Sequence, residues 1–292
     1  MSFDQVMQRT DEMVRQAQSL AAMAARLRLR QLELDGDEAV NAQLERVSDA
    51  LGTRALYDDL TPEQAAMIAA YTRSYLRQAV DLIEDPARAG AWTNDDPAIL
   101  QAQGQASAMV ADILVGAGLG RPGARILDVG TGVARLAIAF CKAFADCTVV
   151  GVDPFEPALA LARANIAEEG LDSRITLVAK PIQELEDDDG FDLVWFPTFF
   201  VPDSVLDDAL VRIRNMARPG AQVALGVFEA PEDPLAAATD ALFTVRAGGA
   251  ALTIDDATAR LARAGFDDVD HVSRDMNVPL QLVVGRRDEV VD

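Results

Sequence analysis

The run Arg125-Ile126-Leu127-Asp128-Val129-Gly130-Thr131-Gly132-Val133-Ala134-Arg135-Leu136 limits the folds open to this chain more than any other stretch. Apolar residues lead to an acidic one, two glycines follow, and a helical pattern starts. This order predicts a strand, a tight turn and a helix N-terminus, with a carboxylate at the strand's end. Beyond it the texture alternates. Strand-like runs cover 125–129, 148–152, 175–179, 191–196, 222–228, 267–272 and 280–284, and helical runs cover about 132–144, 156–169, 203–217, 235–246 and 254–264. Short loops between them predict an α/β fold with a doubly wound, mostly parallel seven-stranded sheet. The last two strands have no helix between them, so the last strand is expected to be antiparallel.

Residues before about 115 read almost entirely as helix. Met7, Met13, Val14, Ala17, Leu20, Ala21 and Ala24 recur at roughly helical spacing. Further helical patterns cover 37–52, 61–83 and 98–116, that over 61–83 opening on Thr61 as N-cap and Pro62 in the first turn. Gly116, Gly118, Gly120, Pro122 and Gly123 form a hinge-like connection. The expected organisation is therefore a helical cap over 1–118, serving as a substrate lid or dimerisation element, and a ligand-binding α/β domain over 119–292.

The chain has 292 residues, enough for a sizeable core, and a formal net charge of −21. Such acidity repels phosphate backbones and anionic lipid, so neither nucleic acid nor a membrane is expected as a partner. The chain holds two cysteines and one histidine, without metal-ligand spacing, so no metal is expected. Free thiols, no signal-like N-terminus and no long apolar run predict a cytoplasmic protein.

In a doubly wound sheet, ligands bind beyond the carboxyl ends of the strands. Gly130 and Gly132 fall at that mouth, where glycine lets a ligand approach the backbone. The following helix is expected to point free N–H groups there. Asp153 ends the second strand about 20 residues on, where an acid commonly accepts hydrogen bonds from ribose hydroxyls. The ligand is therefore nucleotide-like. A dinucleotide site prefers a small residue where Arg135 stands, and Asp128 would repel pyrophosphate. Asp128 suits a ligand carrying an ammonium or sulfonium group.

At these residues the chain resembles the Rossmann-like class I methyltransferases that use S-adenosylmethionine. Their first motif is an acid followed by G-x-G-x-G, and here Ala134 stands for the third glycine. The resemblance runs from about 120 to 287. It implies S-adenosylmethionine as cofactor, held at Asp128, Gly130, Thr131 and Gly132. It makes Asp153 the ribose acid, with Pro154 and Phe155 against adenine. It places Lys180 and Pro181 by the adenine amino group, through main chain rather than the family's usual acid, and Phe196 on the strand entering the reaction chamber. Arg218-Pro219-Gly220-Ala221 matches the turn before the fifth strand, and Ala264-Gly265-Phe266 the turn before the sixth.

Methyl transfer is an in-line displacement that positioning can largely catalyse, and a base is required only for a protonated nucleophile. No catalytic residue is assigned. Methyltransferases of base amines usually carry an Asn/Asp/Ser-Pro-Pro-aromatic motif after the fourth strand. Here Phe196-Pro197-Thr198-Phe199-Phe200 lacks its first member, which disfavours nucleic acid. Trp195 and Phe196 with Pro197, Thr198, Phe199 and Phe200 are candidates to line an apolar substrate pocket, or to be core. Tyr71, Tyr75 and Trp92 are candidates for the lid. His271 reads as structural, the acidic run Glu184 to Asp189 as a solvated loop, and the first helix as a candidate homodimer element. The expected activity is methylation of a small molecule on oxygen, nitrogen or carbon, as in bacterial specialised metabolism. A non-catalytic cofactor-binding regulator and a nicotinamide-dependent oxidoreductase are the alternatives.

Overall fold

The structure is a computed structural model that describes residues 2–272 and 280–288. It divides into two compact units, Met1–Pro86 and Ala87–Asp292.

The first unit holds helices α1 (Phe3–Gln31), α2 (Glu38–Ala50), α3 (Arg54–Asp58) and α4 (Pro62–Glu84). Ser2 with Gln5 and Thr61 with Gln64 form reciprocal caps that satisfy the first amides of α1 and α4. Leu27, Ala65 and Ala69 make the small core, covered by Tyr57, Leu60 and Ile68. Arg30 donates to the carbonyls of Tyr57, Asp58 and Leu60 at 2.9, 3.0 and 2.9 Å. These are orphan acceptors at and beyond the end of α3, so α1 holds in place a helix too short to stand alone.

The second unit runs α5 (Pro97–Gly116), β1 (Arg125–Val129), α6 (Arg135–Ala143), β2 (Thr148–Val152), α7 (Glu156–Glu168), β3 (Ile175–Val178), β4 (Phe191–Pro197), α8 (Asp203–Met216), β5 (Ala217–Phe228), α9 (Pro234–Arg246), α10 (Ile254–Arg263), β6 (Asp267–Val272) and β7 (Leu280–Arg286). The sheet order is β3-β2-β1-β4-β5-β7-β6. Strands β1 to β5 pair in parallel, and β7 is antiparallel to both β5 and β6. The expected seven strands and antiparallel last strand are therefore present. One apolar layer joins α5, α6 and α7 to one face of the sheet; a second joins α8 and α10 to the other.

Two boundaries differ from the sequence reading. Helix α5 belongs with the sheet unit, because it packs on α6. Its Gly104 lies so close to Val133 that a Cβ there would stand 2.2 Å from Val133 Cγ2. The expected turn at Arg218–Ala221 is instead the start of β5, where the register against β4 shifts and Gly220 takes φ +75°. No described helix is long and apolar enough to cross a membrane.

Candidate functional site

The order reverses beside β1, whose neighbours are β2 and β4, so the crevice at its carboxyl end is the expected ligand mouth. Gly130 and Gly132 sit there with φ +68° and +55°. A Cβ on Gly132 would meet only Gly130 O, at 3.9 Å, so this glycine faces open space. A Cβ on Gly130 would touch Pro197 Cγ and Phe200 Cβ at 3.8 Å, which sets the opposite wall.

The turn's amides are largely spent within the protein. Gly130 and Thr131 donate to Val152 O at 2.9 and 3.3 Å, and Ala134 donates to Thr131 O at 2.9 Å. Gly132 donates to Asp153 Oδ2 at 2.9 Å, while Phe155 donates to Asp153 Oδ1 at 2.8 Å. Within the turn, a carboxylate thus ties Gly132 to the loop after β2, while α6 begins at Arg135 without a side-chain cap for its first amides. Each Asp153 oxygen accepts one of these amides and has a second lone pair for a ligand hydroxyl. Burial raises the Asp153 pKa, opposed by the amides of Phe155 and Gly132.

Asp128 lies beneath the turn. It is 1% exposed, and its Oδ2 accepts the Thr131 hydroxyl at 2.7 Å. Burial pushes its carboxyl up to about 7, partly offset by Thr131, with a further rise from the charge on Asp153. Thr131 itself fits because residue 151 has no side chain: a Cβ on Gly151 would stand 2.7 Å from Thr131 Oγ1. A glycine inside a strand is a sequence sign of close approach, and this one went unused.

Side chains absent from the sequence reading support the turn. Asn165 on α7, buried, donates Nδ2–H to Val133 O at 2.8 Å. Its Oδ1 accepts from Gln101 of α5 at 2.9 Å and from Arg135 at 3.0 Å. Arg135, a poor residue for a dinucleotide turn, thus serves as a strut.

Aromatic rings lead away from the turn. Trp92 meets Phe200 edge-on at 6.1 Å between centroids, Phe200 meets Phe199 at 4.9 Å, and Phe199 stacks on Phe228 at 4.1 Å. Trp92 also packs against the cluster of Leu100, Val133 and Ala158, as does Phe155, so it stands near the glycine turn and the start of α7. Phe228 is the aromatic that the sequence reading left out; its place at the end of β5 was the available signal.

Other candidates are occupied differently. Trp195 and Phe196 are buried in the core, so β4 offers main chain rather than these rings to the mouth. Pro197 is buried beside Gly130. Thr198 is 1% exposed and spends its hydroxyl on Gly226 O at 2.9 Å. Pro154 precedes α7, and Lys180 and Pro181 follow β3; Lys180 is exposed, with its amide bonded to Val178 O. Tyr71 and Tyr75 pair at 4.5 Å on α4, in the first unit. His271 on the edge strand β6 shares a 2.9 Å hydrogen bond with Gln281 on its neighbour β7, a structural placement. Asp187 departs from a solvated loop: both its oxygens accept from Arg125 at 2.7 Å. Among the described residues no cluster of His, Cys, Asp and Glu is arranged to hold a metal.

Residues 126–220 match a family model described as a methyltransferase domain. A release factor glutamine methyltransferase of Gloeobacter violaceus is 31% identical over 153 residues, 52% of this chain and 46% of the relative. The chain thus spans less than half the length of the curated relatives it matches. An O-methyltransferase family protein from Burkholderia thailandensis has a similar structure, with TM-score 0.71, 14% identity and 99% of each chain covered. Human N-acetylserotonin methyltransferase in complex with S-adenosylmethionine superposes with TM-score 0.65 at 16% identity, over 98% of this chain and 99% of that one.

Proposed function

We propose that this chain, which carries a methyltransferase domain on a class I Rossmann-like scaffold, transfers a methyl group from S-adenosylmethionine to a small-molecule acceptor. The observation that carries the reading is Asp153 bridging Gly132 and Phe155 at the mouth between β1 and β2. It sets a carboxylate where ribose hydroxyls are bound in such sheets. Two acidic side chains at the turn, Asp128 beneath it and Asp153 beside it, support the reading further, since they disfavour a pyrophosphate.

S-adenosylmethionine supplies an electrophilic methyl group on a sulfonium. The residues at the mouth fit it. Gly130 and Gly132 admit its close approach, and Asp153 accepts from its ribose. Pro154 and Phe155 cover the base, with the main chain at Lys180 and Pro181 beside it. Asp128 braces the turn from beneath. Phe199, Phe200, Trp92 and Phe228 form an apolar wall that orients the acceptor and excludes water. Thr198 is not available as a base, since its hydroxyl is bound to Gly226. Positioning therefore carries most of the catalysis, and acceptors with a free lone pair or an acidic hydroxyl suit the site. Specialised metabolism is the proposed setting.

The α1 helix exposes Phe3, Val6, Met7, Met13, Val14 and Leu20, and we propose this stripe as a homodimer surface. Light scattering on the full chain tests it: a dimer is expected, and a monomer at micromolar concentration refutes it.

Methyl transfer is tested by incubating the protein with methyl-labelled S-adenosylmethionine and a metabolite extract. Label is expected in a small molecule, and much less with Asp153→Ala. Label in no metabolite pool, with cofactor bound, leaves a non-catalytic cofactor-binding protein as the better account.

A further inference from the structure

Cys141 and Cys147 are the two cysteines of the chain. Cys141 lies in α6, and Cys147 stands one residue before β2. This is the amino end of the sheet, opposite the mouth. Their sulfurs are 3.9 Å apart. The Cys147 sulfur also lies 3.5 Å from Phe140 O. Arg174, one residue before β3, donates Nη2–H to Cys147 Sγ at 3.4 Å. The same guanidinium is fixed by the carbonyls of Cys147 and Phe144, each at 2.9 Å.

The two thiols are therefore unlike. The interaction with Cys141, with Arg174 beside it, holds the Cys147 thiol down to about 7 against the effect of burial. The Cys141 thiol is pushed up by its hydrogen bond to Cys147 and by burial. One sulfur can carry a thiolate and the other retains its proton, the division of labour of an attacking and a resolving cysteine. Both are buried, and the segment between them carries exposed residues at Lys142, Ala143, Ala145 and Asp146. A disulfide needs sulfurs about 2 Å apart, so closure takes roughly a further 2 Å of movement.

We propose that Cys141 and Cys147 form a redox modification site, converted by a hydroperoxide into an intramolecular disulfide. The Cys147 thiolate attacks a peroxide oxygen, the O–O bond breaks, and Cys147 becomes a sulfenic acid as hydroxide leaves. The Cys141 sulfur then attacks the Cys147 sulfur. The S–S bond forms, the S–O bond breaks, and the Cys141 proton leaves with the departing oxygen as water. The two thiols lose two electrons, and hydrogen peroxide is reduced to two waters. A dithiol reductant reverses the change.

The test uses the full chain and hydrogen peroxide, read by intact mass and by alkylation after denaturation without reductant. The expected result is the loss of two hydrogens and of both alkylatable thiols, restored by dithiothreitol. In Cys141→Ser, peroxide should leave a sulfenic acid on Cys147 that dimedone traps. In Arg174→Gln the cross-link should form several-fold more slowly, and Arg174→Lys should recover part of the rate. Two thiols still alkylatable after peroxide overturn the proposal, as does first oxidation at Cys141. If Arg174→Gln does not fold, the mass and dimedone results still decide. None of these readouts depends on methyl transfer, so the proposal and the activity can fail separately.

Discussion

The Thr131 hydroxyl donates to Asp128 Oδ2 at 2.7 Å, where the carboxylate is 1% exposed. The acid of the first motif thus faces into the turn and fixes its shape. The side chain is an internal brace.

A pH dependence follows. The folded value of about 7 lies above the ordinary 3.8, so between the two the native state holds a proton that the unfolded chain has lost. The stabilisation is complete below about pH 4 and is lost as pH rises through about 7. Asp153, also raised, adds a slope of the same sign. Asp128→Asn keeps the shape and removes the titration. Denaturant unfolding at pH 5 and pH 8 should show the parent losing stability relative to this variant at the higher pH. A constant difference between the two proteins contradicts the assignment.

Ala134 caps α6 with φ +62°, a left-handed conformation that costs an alanine about 1–2 kcal/mol. Ala134→Gly relieves this strain but loses a buried methyl, so stability should change by less than about 1 kcal/mol. Ala134→Val, β-branched at the same φ, should destabilise by more than about 2 kcal/mol. Thermal unfolding of both variants checks the contrast, and equal effects refute it.

Asn165→Ala removes the donor to the buried Val133 carbonyl and the shared partner of Gln101 and Arg135. A stability loss of about 1–3 kcal/mol is expected, with weaker S-adenosylhomocysteine binding because the turn loses its brace. Unchanged affinity in the folded variant would show that the network supports the fold alone.

Trp92 and Trp195 are the two tryptophans. In Trp195→Phe, emission comes from Trp92, which packs against the cluster of Leu100, Val133 and Ala158. Titration with S-adenosylhomocysteine should alter that emission. A flat titration, with binding confirmed by calorimetry, would move Trp92 away from the cofactor.

The strands were legible because their apolar runs are bounded by turn residues; β1 and β2 begin and end where the pattern does. Helix α3 was not, since its five residues lack a side-chain cap and depend on Arg30 of α1. The start of β5 was hidden by Arg218-Pro219-Gly220, which reads as a turn but forms a bulge inside the strand, between Ala217 paired to Phe191 and Gln222 paired to Leu193. At the site, Gly130, Gly132 and Asp153 were readable because strand ends and helix starts locate them. The braces were not. Asn165, Gln101 and the Asp187–Arg125 pair draw partners from distant parts of the sequence, which no local pattern records.

Isothermal titration calorimetry tests the central claim most directly. S-adenosylhomocysteine should bind at one site per chain, and Asp153→Ala should weaken it by at least about tenfold, or about 1.4 kcal/mol. Tight binding of NAD(H) with none of S-adenosylhomocysteine, or equal affinity in Asp153→Ala, would contradict the account.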